Sequence, residues 1–289
     1  MNHIDLHVHS NISDGTLTPT EVVELAAEIG LIAIALTDHD TVAGVDEALR
    51  AAQKLALTGK KIRVIAGTEL SAGYKNIDIH ILGLFINHKD KDLLAAMEGA
   101  IAERELRNIK MCHNLMSAGI DISVEKMRQT DGNAVLTRAH FAKYLTQHGY
   151  TKTPKLAFQK YLDASGPYYV PRQYLSPKEA IALILSAGGI PVLAHPLLYK
   201  LPKEELDLLI GNLKSYGLVG IETIYSSNTG FEESDVRKLA RKHNLLITGG
   251  SDFHGANKPL IQLGTGKGNL VIPETVLEDL DAYKKDHAH

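Results

Sequence analysis

The sequence predicts an α/β protein with a parallel sheet or barrel, interrupted midway by a helical segment. Three observations predict it. Helix-periodic stretches repeatedly feed short apolar strands. Those strands are apolar on both faces, as strands covered by helices are. Residues 88–178 then drop the rhythm and read as helix throughout. In folds of this kind, active sites gather at the C-terminal ends of the strands.

Taken in order, residues 2–6 read as a short strand, followed by a polar turn reaching Gly15. Thr18-Pro19-Thr20-Glu21 starts a helix: Thr18 can cap it, Pro19 suits its first turn and Glu21 closes a capping box. Val22, Leu25, Ala26 and Ile29 recur at helical spacing before Gly30. The apolar run 31–36 is the next strand and ends at Thr37-Asp38-His39-Asp40. Further strands are expected at 62–66 and 77–85. A second helix starts at Ser176-Pro177-Lys178-Glu179, stops at Gly188-Gly189 and feeds strand 190–194, which ends at His195. Strands follow at 219–223, 245–248 and 260–263, with Asp252 and His254 just beyond the second of these. The chain therefore divides into a first barrel part (1–87), a helical insertion (88–178) and a second barrel part (179–289).

Charge separates these parts. The whole chain carries a formal −3, but residues 88–178 hold 14 Lys/Arg against 9 Asp/Glu, a local +5 that leaves −8 elsewhere. A basic insertion on an acidic body suggests a lid that meets an anionic substrate. The overall charge gives no reason to expect binding to long duplex nucleic acid. The single cysteine, Cys112, excludes an intrachain disulfide and fits a reducing compartment. The N-terminus does not resemble a signal peptide, and no apolar run approaches the ~20 residues of a membrane helix. A soluble, cytoplasmic protein with no membrane partner is expected.

Histidine carries the functional signal. His7 and His9 lie two apart at a strand end, so their rings share a face. Asp14 follows in the next turn, and His39, Glu69 and His195 end later strands. His80 sits within a strand opposite in facing to Ile79 and Ile81, and Asp252 and His254 again lie two apart. Taken singly, a strand histidine is more often a hydrogen-bonded core residue. The repetition of His-x-His, Thr-Asp-His-Asp, Ala-His-Pro and Ser-Asp-x-His after apolar strands argues for metal. Imidazole with carboxylate suits Zn, Mn or Fe. Nine ligands suffice for two or three ions with positions left open for water. Ions ~3.5–4 Å apart can bind a phosphoryl oxygen and hydrolyse an ester through a metal-bridging hydroxide, with no protein nucleophile. Serine chemistry competes poorly, because no Gly-x-Ser-x-Gly elbow is present, and the Gly264–Gly268 run lacks phosphate-loop spacing.

The residues that carry these motifs resemble the polymerase-and-histidinol-phosphatase (PHP) domain phosphoesterases. The matching segments are Asp5-Leu6-His7-Val8-His9-Ser10 with Asp14-Gly15, Leu36-Thr37-Asp38-His39-Asp40, Gly67-Thr68-Glu69 and the His80 strand. Ala194-His195-Pro196 and Gly250-Ser251-Asp252-Phe253-His254-Gly255 complete the set in family order. The resemblance implies a distorted (β/α)7 TIM-like barrel with a helical insertion. It implies one ion at His7, His9, Glu69 and Asp252, a second at Glu69, His80 and His195, and a third at Asp14, His39 and His254. The insertion is similar to that of stand-alone bacterial members acting on nucleoside 3′,5′-bisphosphates or, as exonucleases, on short 5′-phosphorylated oligonucleotides. Leu136-Thr137-Arg138-Ala139-His140 resembles their Gly-Arg-Pro-His segment, with Thr137 and Ala139 departing from it.

On this reading Arg138 and Arg172 clamp a phosphate as planar forked donors, assisted by Lys160. His140 orients the Arg138 segment or touches the leaving group, and Asp40 fixes a ligand imidazole from behind. The substrate is then a small anionic nucleotide or short oligonucleotide. Two other chemistries share much of this pattern. A histidinol-phosphate phosphatase would be indifferent to a nucleobase. A metal-dependent amidohydrolase also opens with His-x-His, but such sites end in a lone Asp, whereas Asp252 is paired with His254.

Overall fold

The apolar runs assemble into a single seven-stranded sheet, in chain order from edge to edge. The computed structural model describes residues 3–75, 77–132, 134–163, 165–171 and 175–287. Strands β1 (His3–Val8), β2 (Leu31–Leu36) and the first part of β3 (Arg63–Tyr74) pair in parallel. So do β5 (Ile190–Leu193), β6 (Gly220–Tyr225) and β7 (Leu246–Gly250). Between these triplets β4 (Ile77–Leu84) runs antiparallel to both neighbours. The sheet is therefore mixed rather than wholly parallel. The reason is the connection: a parallel crossover needs a dozen or more residues, and only two lie between Tyr74 and Ile77.

The sheet nearly closes. Beyond β7 the Asp252 amide donates to the His7 carbonyl (2.9 Å), and the His9 amide donates to the Phe253 carbonyl (3.0 Å). Two expected strands differ from the structure. β3 extends to Tyr74, so Glu69 lies within it rather than at its end. Residues 260–263 form no strand; Gln262 bridges only to Gly266 across a tight turn.

Helices α1 (Pro19–Glu28), α2 (Val45–Leu57), α7 (Pro177–Ser186), α8 (Lys203–Ser215), α9 (Gly230–Lys242) and α10 (Thr275–Asp286) accompany the strands. The capping boxes expected at Thr18/Glu21 and Ser176/Glu179 are both formed. The remaining helices are α3 (Lys91–Ser117), α4 (Val124–Asp131), α5 (Arg138–Gln147) and α6 (Pro154–Ala157), the last running into a π-helical turn, Phe158–Leu162. These pack around an apolar cluster of their own, including Met111, Leu115, Phe141, Leu145 and Leu162. The barrel strands bury three other clusters, around Ile4, Leu6, Leu82 and Val192, around Leu70, Ile81, Ile184 and Leu193, and around Val8, Val22, Ile34 and Leu36.

Candidate metal centre

Period-two geometry at the end of β1 sends His7 and His9 to one side, and β7 passes close enough that a Cβ at Gly250 would overlap the Cβ of His7. A glycine is therefore required there. Three site residues hold backbones that L-amino acids rarely adopt, Asp40 at φ 53°, His195 at φ 26° and Asp252 at φ 58°. Strain of this kind is retained where the surrounding structure fixes a functional side chain.

Glu69 is the hub, with no exposed surface. Its Oε1 lies 2.8 Å from His80 Nδ1 and 2.9 Å from His195 Nε2. Its Oε2 lies 3.3 Å from His7 Nε2, 3.2 Å from His9 Nε2 and 3.0 Å from His39 Nδ1. A second focus forms around Asp14, whose Oδ1 is 3.1 Å from His254 Nε2 and 3.9 Å from His9 Nδ1. Its Oδ2 is 3.7 Å from His39 Nε2. Asp252 Oδ1 completes the cluster, 3.5 Å from His9 Nε2 and 3.8 Å from His7 Nε2. All nine residues singled out in the sequence thus meet in one place.

Three subsets bring their ligand atoms within 4.8 Å of one another: His7, His9 and Glu69; His39, Glu69 and His80; and His9, Asp14, His39 and His254. His9 and His39 each belong to two subsets, a sharing that spacing alone did not reveal. Asp14 Oδ1, Glu69 Oε2 and His39 Nδ1 are buried without a hydrogen-bond partner among the described residues. Buried polar atoms are nearly always satisfied, and oxygen and imidazole nitrogen around a shared space suit divalent cations. The residues present fit such ions.

The electrostatics divide the histidines: His9 and His39 are held neutral, whereas His7 and His80, beside buried carboxylates, are raised. Burial holds the His9 ring down at about 3, with His254 and His39 reinforcing it, and burial also lowers His39. Both rings are therefore neutral and available as ligands at neutral pH. Burial opposes the charge on Asp14, Glu69 and Asp252, yet all three are held well below the usual carboxylate range. His39 and His254 do this for Asp14, His80 and His39 for Glu69, and Lys258 and His254 for Asp252. Burial likewise opposes protonation of His80, but Glu69 and Asp78 outweigh it and raise the ring to about 10.

Several supporting groups escaped the sequence reading. Glu222, fully buried in β6, accepts from His7 Nδ1 (3.0 Å) and from the His195 amide (2.7 Å). The first bond fixes the His7 ring with Nε2 toward the cluster; burial opposes its protonation, but Glu222 and Glu69 outweigh it and raise the ring. Asp5 accepts amide protons from Ser251 and Gly264, both at 2.8 Å, and burial pushes its carboxyl up to about 6. Tyr225 and Lys258 both donate to Asp252 Oδ2 at 2.7 Å, leaving Oδ1 toward the histidines. The one signal for Glu222 was a lone acid in the apolar run Gly220-Ile221-Glu222-Thr223-Ile224.

A cavity of about 200 Å³ opens onto the cluster, lined by His39, His80 and His254 and by Arg138, Phe158 and Lys258. Arg138 is thus placed at the cleft, its guanidinium 5.7 Å from the centre of the Tyr169 ring. His140 Nδ1 accepts the Thr137 amide (3.0 Å) and completes a capping box at the start of α5. Asp40 accepts the Ser71 amide (2.8 Å) and pairs with Arg104 of α3, so its visible work is to tie the helices to β3. Lys160 is not brought to the cleft. It lines a separate hollow with Tyr150, Lys152 and Gln159, its Nζ 4.7 Å from the Tyr161 ring centre. Two residues along a helical turn reverse the facing, so Phe158 reaches the cleft and Lys160 does not. Arg172, the other expected clamp, lies outside the described residues.

Fold and site together define a metal-dependent phosphoesterase, a hydrolase of phosphate ester bonds. The chain belongs to the PHP-domain family, whose model matches residues 5–205. It is 36% identical over 283 residues to the 3′,5′-nucleoside bisphosphate phosphatase of Chromobacterium violaceum, spanning 98% of each chain. It is 36% identical over 251 residues to a 5′-3′ exoribonuclease of Haemophilus influenzae, covering 86% of this chain and 89% of that one. Its fold matches a structure of a candidate metal-dependent phosphoesterase from Bifidobacterium adolescentis with a TM-score of 0.84 at 29% identity, covering 97% and 96% of the two chains. No helix among the described residues is long and apolar enough to cross a membrane.

Proposed function

We propose that this chain hydrolyses phosphate esters of nucleotides, either nucleoside 3′,5′-bisphosphates or short 5′-phosphorylated oligonucleotides, at two or three divalent ions of Mn, Zn or Fe. The observation that carries the proposal is the ring of five imidazoles around the two oxygens of one buried carboxylate, Glu69. His7, His9, Asp14, His39, Glu69, His80, His195, Asp252 and His254 would hold the ions, with Glu69 shared. When bound, such ions supply Lewis acidity at the phosphoryl oxygen and a water acidified toward neutral pH.

The chain's own residues do the remaining work. Arg138, in the cleft, offers a planar fork to a phosphate. Phe158, lining the same cleft, offers a face on which a base can stack. Lys258 adds positive charge beside Asp252, where a second phosphate or a leaving oxygen can be met. His140, engaged in its cap, keeps Arg138 aimed. The named activities of the two relatives share a phosphate ester on a nucleoside, and that shared chemistry favours a nucleotide substrate here. The single, buried Cys112 suits a reducing, cytoplasmic setting.

The test is phosphate release with Mn present, against nucleoside 3′,5′-bisphosphates, 5′-phosphorylated di- to pentanucleotides and histidinol phosphate. Turnover of one of the nucleotide classes is expected, and Glu69→Gln should lower kcat by about 10³-fold or more, roughly 4 kcal/mol. Preferential turnover of histidinol phosphate, or ammonia release without phosphate release, would overturn the proposal. Arg138→Ala should lower kcat/KM by at least about tenfold, roughly 1.4 kcal/mol. A change under about threefold would remove Arg138 from the phosphate contact.

A further inference from the structure

We propose that Thr137 sets Asp14 as a one-oxygen ligand and so ties one cation position to the seating of Arg138. The inference rests on the cation cluster proposed above and concerns a residue outside the nine ligands.

Thr137 is the N-cap of α5, and its Oγ1 accepts the Ala139 amide at 3.2 Å. A hydroxyl that accepts still has its proton to give. Asp14 Oδ2 lies 2.9 Å away and His140 Nδ1 3.3 Å away. The carboxylate is nearer and charged, so the proton goes to Asp14. Oδ2 is thereby engaged, and Oδ1, which has no hydrogen-bond partner among the described residues, is left facing His254 and His9. A capping role alone does not call for a carboxylate at this place.

The backbone around Thr137 is docked on the loop that bears Asp14. The Val135 amide donates to the Ile12 carbonyl (3.1 Å), and Asn108 of α3 donates to the Leu136 carbonyl (3.0 Å). Arg138, the next residue after Thr137, lines the cleft. A cation on Oδ1 and a hydroxyl on Oδ2 favour the same orientation of Asp14, so each strengthens the other. By linkage the cation also strengthens the seating of the segment that carries Arg138.

The experiment is a Mn²⁺ titration of the full chain by equilibrium dialysis with metal analysis. Thr137→Val and Thr137→Gly remove the hydroxyl, while Thr137→Ser keeps it, and glycine is tolerated at an N-cap. In the Val and Gly chains one ion should bind about tenfold more weakly, with the others unchanged and the Ser chain close to wild type. Hydrogen exchange gives a second reading. Saturation with Mn²⁺ should slow exchange of residues 135–147 in the wild type, and in the Gly chain that response should be lost. Should the Val chain fail to fold, the Gly and Ser pair decides. Wild-type affinities in the hydroxyl-free chains, an equal loss for every ion, or a Ser chain behaving like Val would each overturn the inference alone. A wild type that takes up no divalent ion would overturn the cluster reading as well.

Discussion

Glu222 shows what a single buried charge does for the histidines in front of it. One of its oxygens takes the His7 ring and the other the His195 amide. Glu222→Gln keeps the shape and removes the charge. Divalent-ion affinity should fall by about 10–100-fold, the usual effect of losing such a partner, with the far-ultraviolet circular dichroism unchanged. An unaltered Mn²⁺ titration would show that His7 needs no anion behind it. Most of the nine candidate ligands were legible because they follow apolar runs in a motif that repeats. Glu222 was not, because one acid in a strand looks the same whether it braces an imidazole or meets another partner. Lys160 failed differently. Its charge was readable, but the facing of a π-helical turn depends on packing around Tyr161 and Leu162, which no periodicity fixes in advance.

Among the elements, the short turn between β3 and β4 matters most. It reverses β4, and in that register His80 pairs across from Ser71 while its ring reaches Glu69. The apolar runs and both capping boxes could be read from the chain. The direction of β4 could not, because an apolar strand looks alike in parallel and antiparallel neighbours, and only the length of the connection distinguishes them. The run 260–263 has the composition of a strand but finds no sheet partner, so composition misled there. Helix α3 carries a testable consequence. Cys112 packs with Met111, Leu115 and Leu145, and burial pushes its thiol up to about 12 from 9.0. A raised thiol keeps its proton longer in the folded chain, so this contribution to stability is intact below pH 9 and is lost as the pH rises toward 12. Three pKa units reduce the thiolate by about 10³-fold, so alkylation at pH 8 should be slower than in the denatured chain by roughly that factor. Comparable rates would show that α3 opens readily.

At the scale of the whole molecule, charge and shape set the range of substrates. Residues 88–178 carry +5 against a total of −3, and Arg138 and Phe158 from this segment line a cavity of about 200 Å³. A space of that size, walled by His39, His80 and His254 and by the starts of two helical segments, suits one nucleotide with its phosphates. A terminal nucleotide paired in a duplex must first be unpaired and unstacked, which costs a few kcal/mol. At 25 °C that is about 10²-fold in kcat/KM. A 5′-phosphorylated single-stranded tetranucleotide should therefore be hydrolysed about 10²-fold more efficiently than the same end held in a duplex. Modest salt should weaken both through the +5 segment, but only to the extent of a few phosphate contacts. Equal rates on the paired and unpaired ends, or steeply salt-dependent retention of long duplex DNA, would mean that the basic helices track a double helix. The cleft beside the histidine cluster would then not set the substrate's size.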